Sequence, residues 1–148
     1  MKDISSSFIE KGIDGFFVDN VDVYYYNKSD SIYNGVTIIL KDLMKYNKKV
    51  VINGGDEYMY KYSNIKEVAT GINQESVFSS IDFDNHELVT QEPEDHEYFK
   101  EYVEFGASKG LDIYLLEYTT DKDLIDKIIK YTSEKGFKYY ISDSIELD

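Results

Sequence analysis

At 148 residues, 42% of them apolar or aromatic, the chain can bury a real core, and without cysteine it can form neither a disulfide nor a thiolate metal site. A formal net charge of −13 repels a phosphate backbone, which argues against nucleic acid as a partner and in favour of a cationic substrate or partner. No stretch approaches the ~20 apolar residues of a membrane span, and Met1-Lys2-Asp3-Ile4-Ser5-Ser6 has no apolar core, so no signal peptide is expected and the compartment stays open.

Ile4, Phe8 and Ile9 share one face of an amphipathic helix over residues 4–11, with Gly12 placed to end it. A strand is expected over 15–19, followed by a polar loop over 21–31. Ile32, Val36, Ile39, Leu40 and Leu43 repeat at helical spacing until Asn47, and a second strand covers 49–53. Gly54-Gly55 makes a tight turn, with a short helix expected near 56–62. The third strand, 68–75, is short and interrupted by Gly71. The acidic segment 79–92 reads as a long loop of the kind that carries function. Pro93 suits the first position of a helix whose buried face is Tyr98, Phe99, Tyr102, Val103 and Phe105. Lys109-Gly110 ends that helix, and the fourth strand begins at Asp112. Thr120 and Asp123 resemble a capping box for a last helix that turns Leu124, Ile125, Ile128 and Ile129 inward. Gly136 ends it, and the fifth strand spans 138–142.

Strands alternating with helices make a parallel sheet, and near-continuous apolar runs mean that both of its faces are covered. Each run stops on an acid or amide: Asp19-Asn20, Asn53, Glu75, Glu117 and Asp143. These residues fall at the C-terminal strand ends, the rim where α/β folds bind ligands. Five such strands fit either an open doubly wound sheet or most of a barrel. Asp19 suits a nucleophile, a metal ligand, a phosphoacceptor or a loop-capping Asx turn. Glu75 is its natural partner: two strand spacings are roughly 10 Å, and inward-leaning side chains reach the ~5–9 Å carboxyl separation of glycosidases. Tyr24-Tyr25-Tyr26 offers a sugar platform, although core packing of one of them fits equally well.

Gly12-Ile13-Asp14-Gly15-Phe16-Phe17-Val18-Asp19-Asn20-Val21-Asp22 resembles the fourth-strand signature of glycoside hydrolase family 114, the endo-α-1,4-polygalactosaminidase-like barrels. Val51-Ile52-Asn53-Gly54-Gly55 resembles the fifth strand of that family, Asn73-Gln74-Glu75-Ser76-Val77-Phe78 the sixth and Leu116-Glu117-Tyr118 the seventh. The resemblance implies an α/β fold, a single partial domain over 1–148 made of the C-terminal five strands of a TIM-type barrel. It implies hydrolysis of an amino-sugar polymer, with Asp19 as nucleophile and Glu75 as general acid/base. Asn20, Asp22, Tyr24, Asn53, Gly54, Glu117, Tyr118 and Asp143 would contact the substrate, with no cofactor and no metal. The barrel's first three strands are missing from this expectation, and five strands cannot close an eight-stranded barrel. The open inner face is expected to associate with a second copy or with an N-terminal segment, and activity of this chain alone is in question.

Two other readings use the same residues. One is carbohydrate binding without catalysis. The other is an open-sheet phosphoacceptor domain built on Asp19 and Asp22, which wants a lysine on a late strand end where Glu117 and Asp143 stand. Asp82-Phe83-Asp84-Asn85-His86-Glu87 looks like a calcium loop, but its sixth position is Glu87 rather than glycine and its twelfth is Pro93 rather than glutamate. His86 and His96 are expected to be solvated.

Overall fold

Every helix-to-strand break read from the sequence is a residue in the left-handed region: Gly12 (φ 82°), Asn47 (54°), Gly110 (77°) and Gly136 (70°). A positive φ stops the helical ladder and redirects the chain, and glycine, or asparagine at small cost, accepts it. The computed structural model describes residues 2–145; Met1, where the N-terminal segment begins, and residues 146–148 lie outside it.

The helices are α1 (Lys2–Glu10), α2 (Val23–Tyr26), α3 (Asp30–Met44), α4 (Asp56–Lys61), α5 (Pro93–Ser108) and α6 (Lys122–Lys135). The strands are β1 (Gly15–Val18), β2 (Lys49–Asn53), β3 (Gly71–Glu75), β4 (Ser79–Asp82), β5 (Glu87–Thr90), β6 (Asp112–Tyr118) and β7 (Lys138–Ser142). The fold is α/β with a five-stranded parallel sheet, hydrogen-bonded in the order β1-β2-β3-β6-β7, and a separate β4-β5 hairpin. The chain packs as two compact units, one ending at Ile72 and the other starting at Asn73.

In the first unit β1 and β2 pair in parallel, from Gly15 opposite Lys49 to Val18 opposite Ile52. The approach at Gly15 is so close that a Cβ there would lie 2.6 Å from the Lys49 carbonyl oxygen. Leu40, Val50, Ile52, Met59 and Val68 are fully enclosed. A cluster of tyrosines completes this core: Tyr33 and Tyr58 rings lie 5.3 Å apart, Tyr24 and Tyr33 5.6 Å, and Tyr58 and Tyr62 5.7 Å. The polar tips are satisfied, since Tyr58 shares a 2.9 Å hydrogen bond with Thr37 and Lys61 Nζ donates to the Tyr24 hydroxyl at 2.7 Å. Burial pushes the Tyr58 phenol up to about 12. The expected loop at 21–31 contains the single turn of α2, and β3 starts at Gly71 rather than 68, after a short 3-10 turn over Ile65–Glu67.

In the second unit β6 and β7 pair in parallel, from Tyr114 opposite Lys138 to Tyr118 opposite Ser142. The helices bury narrower stripes than expected: Tyr102, Val103 and Gly106 of α5 are buried, and Leu124 and Ile128 of α6, while Tyr98 and Ile129 are exposed. Asp121, not Thr120, caps α6 by accepting from Leu124 N at 2.9 Å. The acidic segment expected to be a loop is the β4-β5 hairpin, paired from Ser79 opposite Thr90 to Asp82 opposite Glu87. Its tip is an Asx turn in which Asp82 Oδ1 accepts from Asp84 N and Asn85 N, both at 3.0 Å. The Asn85 side-chain amide, which donates to Asp82 Oδ2 at 2.8 Å, holds the Asp82 carboxyl below its ordinary value, with the backbone bonds adding to it. The residues that looked like a calcium loop are this turn.

Candidate carboxylate site at the strand ends

In the first unit the site residues gather where β1 and β2 end. Asp19 follows β1 directly and is exposed. Its Oδ1 accepts from Asn20 N at 2.8 Å and from the Asn53 amide at 3.1 Å, so Asp19, Asn20 and Asn53 come together. Asn20 takes φ 59°, turning the chain sharply after the acid. Asp22 reaches the next strand end, where its Oδ1 accepts from Gly55 N at 2.7 Å. Its carboxylate lies so close to Gly54 that a Cβ there would sit 2.6 Å from Oδ2. Gly54 and Gly55 both have positive φ, at 62° and 79°, so this turn demands glycine for conformation and for space. Asp22 therefore clasps the β1 and β2 loops together and faces the start of α4, where a negative charge is favoured.

Tyr24 was expected to touch substrate, but it is 4% exposed and packs among the core tyrosines. Its neighbours Tyr25 and Tyr26 face outward instead. A cavity of about 130 Å³ beside Asp19 is lined chiefly by Val18, Val21, Val36 and Leu40. It is apolar and well below the ~300–1,000 Å³ of ordinary ligand pockets, so it does not serve a sugar.

In the second unit Glu75 closes β3 and Tyr118 closes β6. The Tyr118 hydroxyl donates to Glu75 Oε2 at 2.8 Å. Burial, reinforced by that hydrogen bond and the Glu75 charge, raises the Tyr118 phenol well above its ordinary value, so it stays a donor. Ser76, the residue after the acid, takes φ 59°. The turn that follows is held on every side: Ser76 N donates to Leu116 O at 2.9 Å, and Gln91 Nε2 donates to Ser76 O at 2.8 Å.

Glu117 is the centre of that hold. It was expected on the substrate rim, yet it is 0% exposed. Its Oε1 accepts from Val77 N at 3.1 Å and Phe78 N at 3.2 Å. Its Oε2 accepts from Phe78 N at 3.1 Å, Ser79 N at 2.9 Å and Ser79 Oγ at 2.6 Å. Burial pushes the Glu117 carboxyl up, while these bonds, Ser79's first, pull it back. With its oxygens committed and no surface, Glu117 supports the turn and has nothing to offer a substrate. Ser79 extends the network, since its Oγ accepts from Tyr118 N at 2.8 Å.

His96, expected to be solvated, braces the same turn: its Nδ1 lies 2.7 Å from Val77 O, which can only accept, so Nδ1 carries the proton. Its ring meets Phe78 edge-on at 4.6 Å. Ser79, Gln91 and His96 were not singled out as site residues from the sequence, because their roles depend on long-range partners. Asp143 is exposed just past β7. Among the described residues no three His, Asp or Glu side chains are grouped to hold a metal ion, and no helix is long and apolar enough to cross a membrane.

No protein-family model matches this chain, and no curated protein does. Among solved structures it is similar to the glycoside hydrolase domain of PelA from Pseudomonas aeruginosa, with TM-score 0.73 and 16% identity, over 95% of this chain and 57% of that one. A variant of the same domain aligns with TM-score 0.73 and 15% identity, again over 95% and 57%. The chain thus spans 57% of the length of the solved chains it matches. At this identity the likeness is one of backbone. The chain has the fold of a glycoside hydrolase domain over the part of that domain it spans.

Proposed function

We propose that this chain is part of a glycoside hydrolase-like protein that acts on amino-sugar polymers of the galactosaminoglycan type, its five strands belonging to a TIM-type barrel of family 114. What supports the reading is one arrangement found twice. Asp19 and Glu75 each stand at the C-terminal end of a parallel strand, each precedes a left-handed residue, and each accepts from one strand-end side chain, Asn53 or Tyr118. Sharp backbone of this kind gathers at sites where a side chain must be aimed. Glycoside hydrolysis needs two carboxyl groups, one to attack the anomeric carbon or activate water and one to protonate the leaving oxygen. In this proposal Asp19 is the nucleophile and Glu75 the acid/base, while a net charge of −13 draws in a polymer carrying free ammonium groups.

The test is incubation of the chain with partially deacetylated galactosamine polymer, followed by sizing of the products. Shortened chains are expected, and Asp19→Asn or Glu75→Gln should each lower their formation by about 10²-fold or more. An intact polymer after prolonged incubation refutes hydrolysis by this chain. A second reading, carbohydrate binding without cleavage, uses the same strand-end residues. It predicts that the polymer is bound but not cut, and that Asp19→Asn leaves the affinity unchanged.

A further inference from the structure

We propose that Tyr25 and Tyr26 form an aromatic platform that holds a pyranose ring of the glycan within oligosaccharide reach of the Asp19 end of β1. This rests on the carbohydrate reading above and adds a binding element to it. The turn of α2 starts beside the Asp22 clasp, because Tyr25 N and Tyr26 N donate to Asp22 O at 2.8 Å and 3.3 Å. Burying Tyr24 in the core turns its two neighbours outward, 56% and 82% exposed. Their rings meet edge-to-face, 5.3 Å apart at 83°, and so make an open corner rather than a flat patch.

Tyr25 is also steadied from one side. Lys28 Nζ stands 5.8 Å from its ring centre and is itself held by Glu57 at 2.7 Å. A platform anchored at its backbone and steadied at one ring loses little freedom when a ligand lands, which is what binding needs.

The chemistry of such a corner suits a sugar. The C–H face of a pyranose lies on an aromatic face, the phenol hydroxyls meet ring hydroxyls, and a protonated amine on the sugar gains cation–π attraction at Tyr26, since Lys28 already holds Tyr25. Lys28 over Tyr25 displays that attraction within the chain. Tyr25 and Tyr26 stand six and seven positions after Asp19, so their Cα atoms lie within about 25 Å of its Cα, a span that a short oligosaccharide bridges.

The experiment titrates galactosamine oligomers into the wild-type chain and into the Tyr25→Ala, Tyr26→Ala and Tyr26→Phe variants, with affinity read by calorimetry. Each alanine variant should weaken binding by about tenfold, while Tyr26→Phe, which keeps the ring, stays within about threefold. Both side chains are exposed, so thermal midpoints should stay at the wild-type value and exclude misfolding as the cause. Wild-type affinity in both alanine variants overturns the platform and leaves the carbohydrate reading standing. Equal losses in Tyr26→Phe and Tyr26→Ala overturn stacking as the mode of binding. A wild-type chain that binds no oligomer overturns both proposals.

Discussion

Replacing Glu117 by alanine tests whether the turn after Glu75 is held by a buried carboxylate or merely surrounds one. The side chain supplies the acceptors for three backbone N–H groups, those of Val77, Phe78 and Ser79, and for the Ser79 hydroxyl. The hydroxyl can rotate to another partner, but the three amides are fixed. An orphaned buried donor costs about 1–3 kcal/mol, so the gross loss is about 3–9 kcal/mol. Water entering the vacated, polar space restores some of those bonds, which brings the expected net to about 3–5 kcal/mol. That is a large share of the ~5–15 kcal/mol that holds a domain folded. At about 2–4 °C per kcal/mol for a chain of this size, the thermal midpoint should drop by about 10 °C. Urea titration followed by far-ultraviolet circular dichroism measures the free energy directly. A loss below about 1 kcal/mol would refute the reasoning, because a single such orphaned donor already costs that much.

Glu117 also predicts a pH dependence. Its carboxyl is raised above 4.5, so its contribution is fully present below 4.5 and is lost as pH rises through the folded value. Glu117→Gln cannot titrate, so wild-type stability relative to that variant should increase as pH falls from neutrality towards 4.5, as urea midpoints across that range will show. Tyr118→Phe deletes only the hydroxyl that donates to Glu75 and keeps the buried ring. A hydrogen bond to a charged group is worth about 1.5–3 kcal/mol, so cleavage of the polymer should slow about 10- to 100-fold while the chain stays folded; an unchanged rate removes Tyr118 from the site. Gly55→Ala would place a methyl group 2.6 Å from Val21 Cγ1 at φ 79°, and a stability loss of about 2 kcal/mol or more is expected in the same urea assay.

The strands were legible where two signals agreed. Lys49–Asn53 and Lys138–Ser142 match the sequence reading to the residue because an apolar run follows a left-handed break in both. The β4-β5 hairpin was not legible because its strands are four residues each, too short for alternation to stand out in an acidic segment. What folds it is the Asx turn at Asp82 and the long-range bond from Ser79 to Glu117, and only the first is local. Tyr24 illustrates a related limit, since three consecutive tyrosines on one helical turn cannot all face the same way, and composition does not say which turns inward.

Glu117 was misread even though the sequence held the signal. Period-two alternation along β6 puts it on the same face as Ile113 and Leu115, both buried, so an inward carboxylate was implied. An acid at a parallel strand end therefore comes in two kinds, separated by its donors rather than its position. Glu117 is enclosed by backbone amides from a neighbouring turn, and its acceptor oxygens serve the fold. Asp19 is exposed, and its Oδ1 accepts from the Asn53 amide, a side chain from the end of the next strand. Chemistry on a substrate requires the second kind, because a carboxylate already saturated by buried backbone donors must break those bonds before it can attack or transfer a proton. On that criterion Asp19 keeps its candidacy for catalysis and Glu117 loses its place on the substrate rim.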